Sequence, residues 1–429
     1  MIKIYDLEKD GPEDFYRKIN DRGDNKNVEG SVGEILDNVR KNGDDALRYY
    51  TEKFDGAVPA NLEVSEAEIQ EALKEMDERV LDVIKRAYEN IFNFHLNEKE
   101  NSWEFKRGSS KFGVRVLPVK RAGVYVPGGS APLPSSVLMN VIPAKVAGVN
   151  EIIMCTPPGK NGRISPSILA AARISGANRI FKVGGAQAIA AMAYGTGTIP
   201  KVDKITGPGN IYVATAKSKV IGVCGIDMIA GPSEILIIAD DSANPEFVAC
   251  DMLSQAEHDP LAAAMLITVD RELAGKVVKL LDEKLQMLDR KDIAERSLEN
   301  NGAIIIVKSE KEAAELADFI APEHLELCVK EPELLSERIS NAGAIFLGNW
   351  SPEPMGDYFC GANHVLPTGG TARFASPLGV WDFVKRTSII NYTKADFMEE
   401  ASHAALFAGI EGLGAHKNSI TIRLDNYNG

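Results

Sequence analysis

Asp251, Gln255 and His258 stand four and three positions apart in the run from Cys250 to Pro260, so a helix would carry all three on one face. Gln255 and His258 offer an amide oxygen and an imidazole at a helix end, a pair that can ligate one metal ion, and Pro260 stops the helix just beyond them. A polar helix end whose histidine only packs or caps has the same composition. Glu323 and His324 are adjacent, ahead of an apolar stretch in which Glu326 alternates. An imidazole titrating near neutrality beside a carboxylate can divide acid–base work, the carboxylate acting on water. A charged, exposed strand edge is the competing reading. From 351 to 370 the chain reads as a loop of Gly, Pro and polar side chains, with Asp357 and His364 as ligands or bases. Loops that long in a compact domain are usually functional. His416 lies in a glycine-rich turn after Glu411, a ligand-type side chain far along the chain from the others. His95 ends a helical pattern with no partner in view and reads as structural.

These residues need a frame, and the middle of the chain supplies a rhythm. Strands and helices alternate at short intervals: 123–126, 151–155, 165–175, 179–183, 186–194, 201–206 and 210–219. That is the pattern of a parallel sheet covered by helices. Several strands run into glycine-bearing loops, at 127–129, 184–185 and 207–209. Such loops let backbone N–H groups approach phosphate at the carboxyl ends of strands. None is a G-x-G-x-x-G, so ordinary turn chemistry competes with a dinucleotide site. A second α/β series follows, with strands at 235–239, 264–269 and 303–307 and helices at 244–258, 271–288 and 311–320. Helical patterns also cover 32–53 and 65–97, the latter with Ile69, Leu73, Met76, Val80, Val83 and Ile84 at three- and four-residue steps. The tail after Trp381 predicts a helix over 394–409 and a last strand over 419–424, and is too small for a core of its own.

The expected organisation is an N-terminal arm over 1–30, an α/β domain of 31–120 with 233–380 that carries the 32–97 helices, an α/β domain over 121–232, and a C-terminal extension over 381–429. A chain of 429 residues with 45% hydrophobic and 25% charged residues is an ordinary globular composition, long enough for a large core. A formal net charge of −13 argues against nucleic acid as a partner, which would need a basic footprint. No apolar run approaches the ~18 residues of a membrane span. The opening residues lack the apolar stretch of a secretory signal. Five scattered cysteines, none in a CxxC pair, give neither a disulfide scaffold nor a cysteine zinc site. The expectation is a cytoplasmic protein.

Eight short motifs in order resemble the histidinol dehydrogenase family over nearly the whole chain. They are Tyr125-Val-Pro-Gly-Gly-Ser-Ala-Pro-Leu, Val183-Gly-Gly-Ala-Gln-Ala-Ile-Ala, Gly207-Pro-Gly-Asn, Ala230-Gly-Pro-Ser-Glu, Gln255-Ala-Glu-His-Asp, Pro322-Glu-His-Leu-Glu, Gly361-Ala-Asn-His-Val-Leu-Pro-Thr and Glu411-Gly-Leu-Gly-Ala-His. The resemblance implies two incomplete Rossmann-like domains with parallel sheets plus small N- and C-terminal extensions. It implies a homodimer with shared active sites that oxidises L-histidinol to L-histidine through the aldehyde, with one Zn2+ per subunit and NAD. By the same resemblance, the zinc ligands are Gln255, His258, Asp357 and His416, and the acid–base pair is Glu323 and His324. Ser233 and Glu411 join His324 and the zinc ligands around substrate, and Tyr125, Gln187 and Asn210 line the NAD site.

Two rival activities remain on the residues alone. One is a related zinc and NAD dehydrogenase of another small alcohol, such as a sulfonated diol. Glu411 disfavours it, because a carboxylate suits a cationic amine and repels a sulfonate. The other is a zinc hydrolase with Glu323 as general base and purely structural glycine loops.

Overall fold

The structure is a computed structural model, and it describes residues 2–20, 28–57, 59–128 and 132–425. The chain divides into one unit of Met1–Glu98 with Val119–Phe383 and a second of Lys99–Pro118 with Val384–Gly429.

The first unit holds two parallel sheets. One has five strands in the order Arg179–Lys182, Glu151–Thr156, Arg121–Tyr125, Lys204–Thr206, Gly225–Ile226. The order reverses between Arg121–Tyr125 and Lys204–Thr206, and their carboxyl ends are the place where such sheets take ligands. The other sheet has six strands in the order Lys3–Asp6, Ala303–Ile306, Ala263–Thr268, Glu234–Ala239, His324–Cys328, Ala344–Leu347. Glu234–Ala239 and Ala263–Thr268 are buried at all six positions, as strands covered on both faces must be. The α/β fold with parallel sheets expected from the alternating pattern is present.

Four early helices, Glu29–Asn42, Asp44–Asp55, Glu66–Glu75 and Glu78–Leu96, pack on the five-stranded sheet and not, as expected, on the 233–380 body. The physical reason lies in the helices they cover. Pro134–Ala147 is buried from Ser136 to Ala144 and Gly185–Tyr194 from Ala186 to Ala193, so both need a further layer outside them. Val32, Ile35 and Leu36 join the cluster of Ile189 and Ala190, while Ile84, Ala87 and Ile91 join that of Leu138 and Ile142. Gly43, at φ 54, separates the first two helices where the pattern suggested one over 32–53. In the expected arm, Lys3–Asp6 is an edge strand paired with Ala303–Ile306; its end, 21–27, lies outside the described residues.

The second unit is a three-stranded antiparallel sheet, Val384–Asn391, Ser110–Pro118, Trp103–Arg107, with helices Lys394–Ile410 and Gly414–Asp425. It therefore draws Lys99–Pro118 into what was read as a tail beginning at 381. The helix Gly414–Asp425 replaces the expected strand over 419–424. Ile420, Ile422 and Leu424 alternate, but Leu413, Ile420 and Leu424 also recur at seven and four residues, and the helical period wins.

Candidate active site

Glu323 and His324 lie where the His324–Cys328 strand begins, at the amino end of the strand and not at the carboxyl end where the general rule for parallel sheets looks. His324 pairs with Ile235, which sets it beside the start of Glu234–Ala239. Two contacts to Glu234 hold the pair. The Glu234 N–H donates to Glu323 Oε2 at 2.8 Å, and His324 Nδ1 lies 3.0 Å from the Glu234 carbonyl oxygen. A carbonyl can only accept, so Nδ1 carries the proton and Nε2 of the neutral ring keeps its lone pair. Nε2 has no hydrogen-bond partner among the described residues; it stands 3.6 Å from Asp357 Oδ1 and 3.9 Å from Glu353 Oε1.

The electrostatics are strong because the groups are buried: Glu323 is 6% exposed, His324 3% and Glu353 2%. Burial pushes the Glu323 carboxyl up to about 8, although the adjacent imidazole pulls the other way. Burial alone would lower His324, but Glu323, Asp357 and Glu353 outweigh it and bring the imidazole up to about 10. Burial opposes ionisation of Asp357 as well, yet the His324 imidazole 3.6 Å away and the nearby His364 hold its carboxyl down to about 2.

Asp357 belongs to a short helix, Glu353–Tyr358, inside the segment read as loop. Proline at its first turn starts it, since the missing N–H is one that a helix start leaves unpaired. The Asp357 carbonyl accepts from His364 Nδ1 at 3.0 Å, which fixes that ring and leaves its other nitrogen for a ligand or water. Gln255 ends the Pro245–Ala256 helix, which Asn244 caps through the Glu246 N–H at 2.9 Å. The Gln255 side chain is fully buried, and among the described residues neither its Oε1 nor its Nε2 has a hydrogen-bond partner. An amide so placed is costly unless a ligand completes it. His258 follows in the turn after the helix, at the surface.

Asp251 shares the helix face of Gln255 as its spacing implied, but it turns to Glu326. Burial raises the Asp251 carboxyl to about 6 although the hydrogen bond with Glu326 pulls the other way, and burial with the Asp251 charge raises Glu326 to about 8. Glu326 also accepts the Glu353 N–H at 2.7 Å, which ties this buried acid pair to the Glu353–Tyr358 helix. Glu353 is the member the sequence analysis missed. Burial and the neighbouring Asp357 raise its carboxyl to about 9. Its signal was weak: one acid between prolines in Ser351-Pro-Glu-Pro. Among the described residues His324, Glu353 and Asp357 bring one ligand atom each within 4.8 Å of one another, a group able to hold a cation. The unpartnered Gln255 amide, the ionised Asp357 and the absence of sulfur suit a divalent metal with N/O ligands.

The loops after the five-stranded sheet form a separate feature. Tyr125, Gln187 and Asn210 all line one cavity of about 1130 Å³, above the ~300–1,000 Å³ of sites for drug-sized ligands. Tyr125 Oη accepts the Gly185 N–H at 3.0 Å, and burial pushes its phenol up to about 12. Asn210 Oδ1 caps the Ile211–Lys219 helix by accepting from Tyr212 and Val213 at 3.1 and 3.2 Å, so its amide hydrogens remain for a ligand. Gln187 is 1% exposed, and its Oε1 has no hydrogen-bond partner among the described residues. Gly207, at φ 117, passes so close to the Tyr125 carbonyl that a Cβ would meet its oxygen at 2.0 Å. A buried ion pair holds that glycine: Lys217 Nζ donates to its carbonyl at 2.9 Å, and Asp227 Oδ2 accepts its N–H at 2.8 Å.

Ser233 precedes Glu234, and its carbonyl accepts the Ala263 N–H at 3.0 Å. His95 is buried, with Nδ1 2.7 Å from Glu98 and Nε2 3.3 Å from Asn363 Nδ2, a structural role as its sequence suggested. Glu411 and His416 belong to the second unit, the first at the carboxyl end of Lys394–Ile410 and the second in Gly414–Asp425, both exposed.

The family model for histidinol dehydrogenase matches residues 19–424. A histidinol dehydrogenase from Bacillus subtilis is 52% identical over 394 residues, 92% of each chain. One from Heliobacterium mobile is 51% identical over 405 residues, 94% of this chain and 95% of the relative. A crystal structure of histidinol dehydrogenase from Elizabethkingia anophelis superposes with a TM-score of 0.94 at 38% identity, covering 100% of this chain and 99% of that one. With nearly full coverage on each side, the chain belongs to the histidinol dehydrogenase family.

Proposed function

We propose that the chain oxidises L-histidinol to L-histidine, the last step of histidine biosynthesis, in two NAD-linked steps with the aldehyde between them. The observation that carries the proposal is the His324 ring, its Nδ1 tied to the Glu234 carbonyl and its Nε2 unpartnered among carboxylates. His324 Nε2, once the ring has lost its second proton and is neutral, takes the hydroxyl proton of the alcohol and later that of the aldehyde hydrate. Glu323, once ionised, draws a proton from the water that adds to the aldehyde. Glu234 positions both through its own backbone. Gln255, His258 and Asp357, with His416, would hold a zinc ion. Zinc there supplies a Lewis acid that orients the substrate's imidazole and amine. Glu411 offers a carboxylate to that amine, and Ser233 a hydroxyl. NAD, which Tyr125, Gln187 and Asn210 would bind, supplies the hydride acceptor.

In this reading the 121–232 segment is the cofactor-binding domain, the body of 233–380 carries most zinc and acid–base residues, and two chains share their active sites. Glu411 and His416 of each chain then serve its partner. The second unit carries exposed Trp103, Phe105, Phe407 and Ile410, apolar surface of the kind that marks an interface. No helix among the described residues is long and apolar enough to cross a membrane, which accords with the cytoplasmic setting proposed for the enzyme. The test is NAD reduction over a panel of amino alcohols and a sulfonated diol, with and without chelator. Reduction with histidinol that chelator abolishes supports the reading, and reduction only with the sulfonated diol overturns it.

A further inference from the structure

Asp55 lines the cavity from a place that the fold does not reward. It is the last residue of the Asp44–Asp55 helix, where the helix dipole is unfavourable to a negative charge. Its Oδ2 is buried and has no hydrogen-bond partner among the described residues. Its other neighbours in the cavity include Tyr125 and Gln187, the latter with an unpartnered oxygen of its own. A half-buried acid with one buried oxygen unpaired, set against a helix dipole, is destabilising unless something else completes it.

The chemistry of the cavity narrows what completes it. A carboxylate accepts only, through two oxygens held side by side, and vicinal hydroxyls donate two hydrogens at matching spacing. In other dinucleotide folds an acid performs this task from the end of a neighbouring strand. Here the acid comes from a helix outside the sheet. The cavity lining holds five acids (Glu34, Asp55, Glu68, Glu71, Glu75) against four cations (Lys53, Lys160, Arg163, Lys182), so the balance is one negative charge. Two of those cations are engaged, Lys182 with Glu68 at 2.5 Å and Arg163 with Glu71 at 3.4 Å. A further phosphate dianion beside Asp55 would meet like charge. Burial, which raises the Asp55 carboxyl to about 6, still leaves it ionised at the slightly alkaline pH of an assay.

Resting on the reading of this cavity as the NAD site, we propose that Asp55 receives a ribose diol of the dinucleotide and excludes a 2′-phosphate, making the enzyme selective for NAD over NADP.

The test is calorimetric titration of the full chain at pH 8 with NAD and with NADP, for the wild type, Asp55→Asn and Asp55→Ala. The wild type should bind NAD and discriminate against NADP by roughly a hundredfold or more, as paired hydrogen-bond and charge effects allow. Both variants should bind NAD roughly tenfold to a hundredfold more weakly. Their NAD-to-NADP ratio should fall by at least about tenfold, because the repulsion of the phosphate is gone. Asp55→Asn keeps the shape of the side chain, so it carries the test should the alanine variant fail to fold. Variants that keep the wild-type ratio overturn the role of Asp55 and leave the NAD reading standing. A wild type that binds neither dinucleotide overturns the NAD reading itself.

Discussion

Asp227→Asn should destabilise the protein severely although it changes one atom type. Lys217 and Asp227 have side chains 2% and 0% exposed, with Nζ and Oδ1 2.5 Å apart. Neutralising Asp227 leaves the Lys217 ammonium buried without its counter-charge, which typically costs ~3–5 kcal/mol. The Gly207 N–H keeps an acceptor, but a neutral one, and the carbonyl of the same glycine still faces an unpaired cation. In domains of 150–250 residues each kcal/mol lowers the midpoint by roughly 2–4 °C, and less in longer chains, so the loss should be at least several degrees. The double variant Lys217→Met, Asp227→Leu removes both charges and should recover most of that stability. It should not recover cofactor binding, since Gly207 and the Asn210 cap behind it lose their clamp. Thermal unfolding of both variants and the wild type, with NAD affinity by titration, reads the two effects separately. If Asp227→Asn unfolds within a degree of the wild type, the buried pair is not holding this loop and the reasoning fails.

Four shorter predictions address the chemistry, the buried acids and the sharing of the site. His324→Asn should slow both oxidation steps by ~10²–10⁴-fold, whereas Glu323→Gln should spare alcohol oxidation relative to aldehyde oxidation; equal losses in the two steps of the Glu323 variant would refute the division of labour. The wild-type aldehyde step should accelerate as pH climbs toward and past about 8, where Glu323 loses its proton, and a flat profile would contradict the role. The Asp251–Glu326 pair has carboxyls raised above their unfolded values, so the native state holds more protons and stability falls as pH rises from the ordinary carboxylate range through about 8. Glu326→Gln should flatten that fall by on the order of 1–3 kcal/mol between pH 5 and 9, measured by urea unfolding, and an unchanged slope would show that the pair is not the cause. Mixing His258→Ala with His416→Ala chains under subunit exchange should restore roughly a quarter of sites if the second unit serves the partner. No recovery, with exchange confirmed by mass, would place the site within one chain.

Much of the site was legible where chemistry is local. Adjacent Glu323 and His324 need no fold to be neighbours, and the four- and three-residue steps of Asp251, Gln255 and His258 survive into the Pro245–Ala256 helix and its following turn. What the spacing could not tell was direction: Asp251 turns to Glu326, a partner 75 positions away that only the adjacency of helix and sheet supplies. Glu353 was invisible for the same reason, since one acid between prolines means nothing until the Glu353–Tyr358 helix sets it 3.9 Å from His324. The early helices were legible as helices but not as neighbours, because amphipathic patterns say which face is buried and not against what. Their place followed from Pro134–Ala147 and Gly185–Tyr194 being apolar all round, and that demand for an outer layer could have been read.

The central claim is a four-electron oxidation in one active site, and the stoichiometry of a complete reaction tests it most directly. With limiting L-histidinol and excess NAD, the account predicts two molecules of reduced cofactor per histidinol consumed, with histidine as the sole product. One reduced cofactor per histidinol with aldehyde left behind, or none, would contradict it.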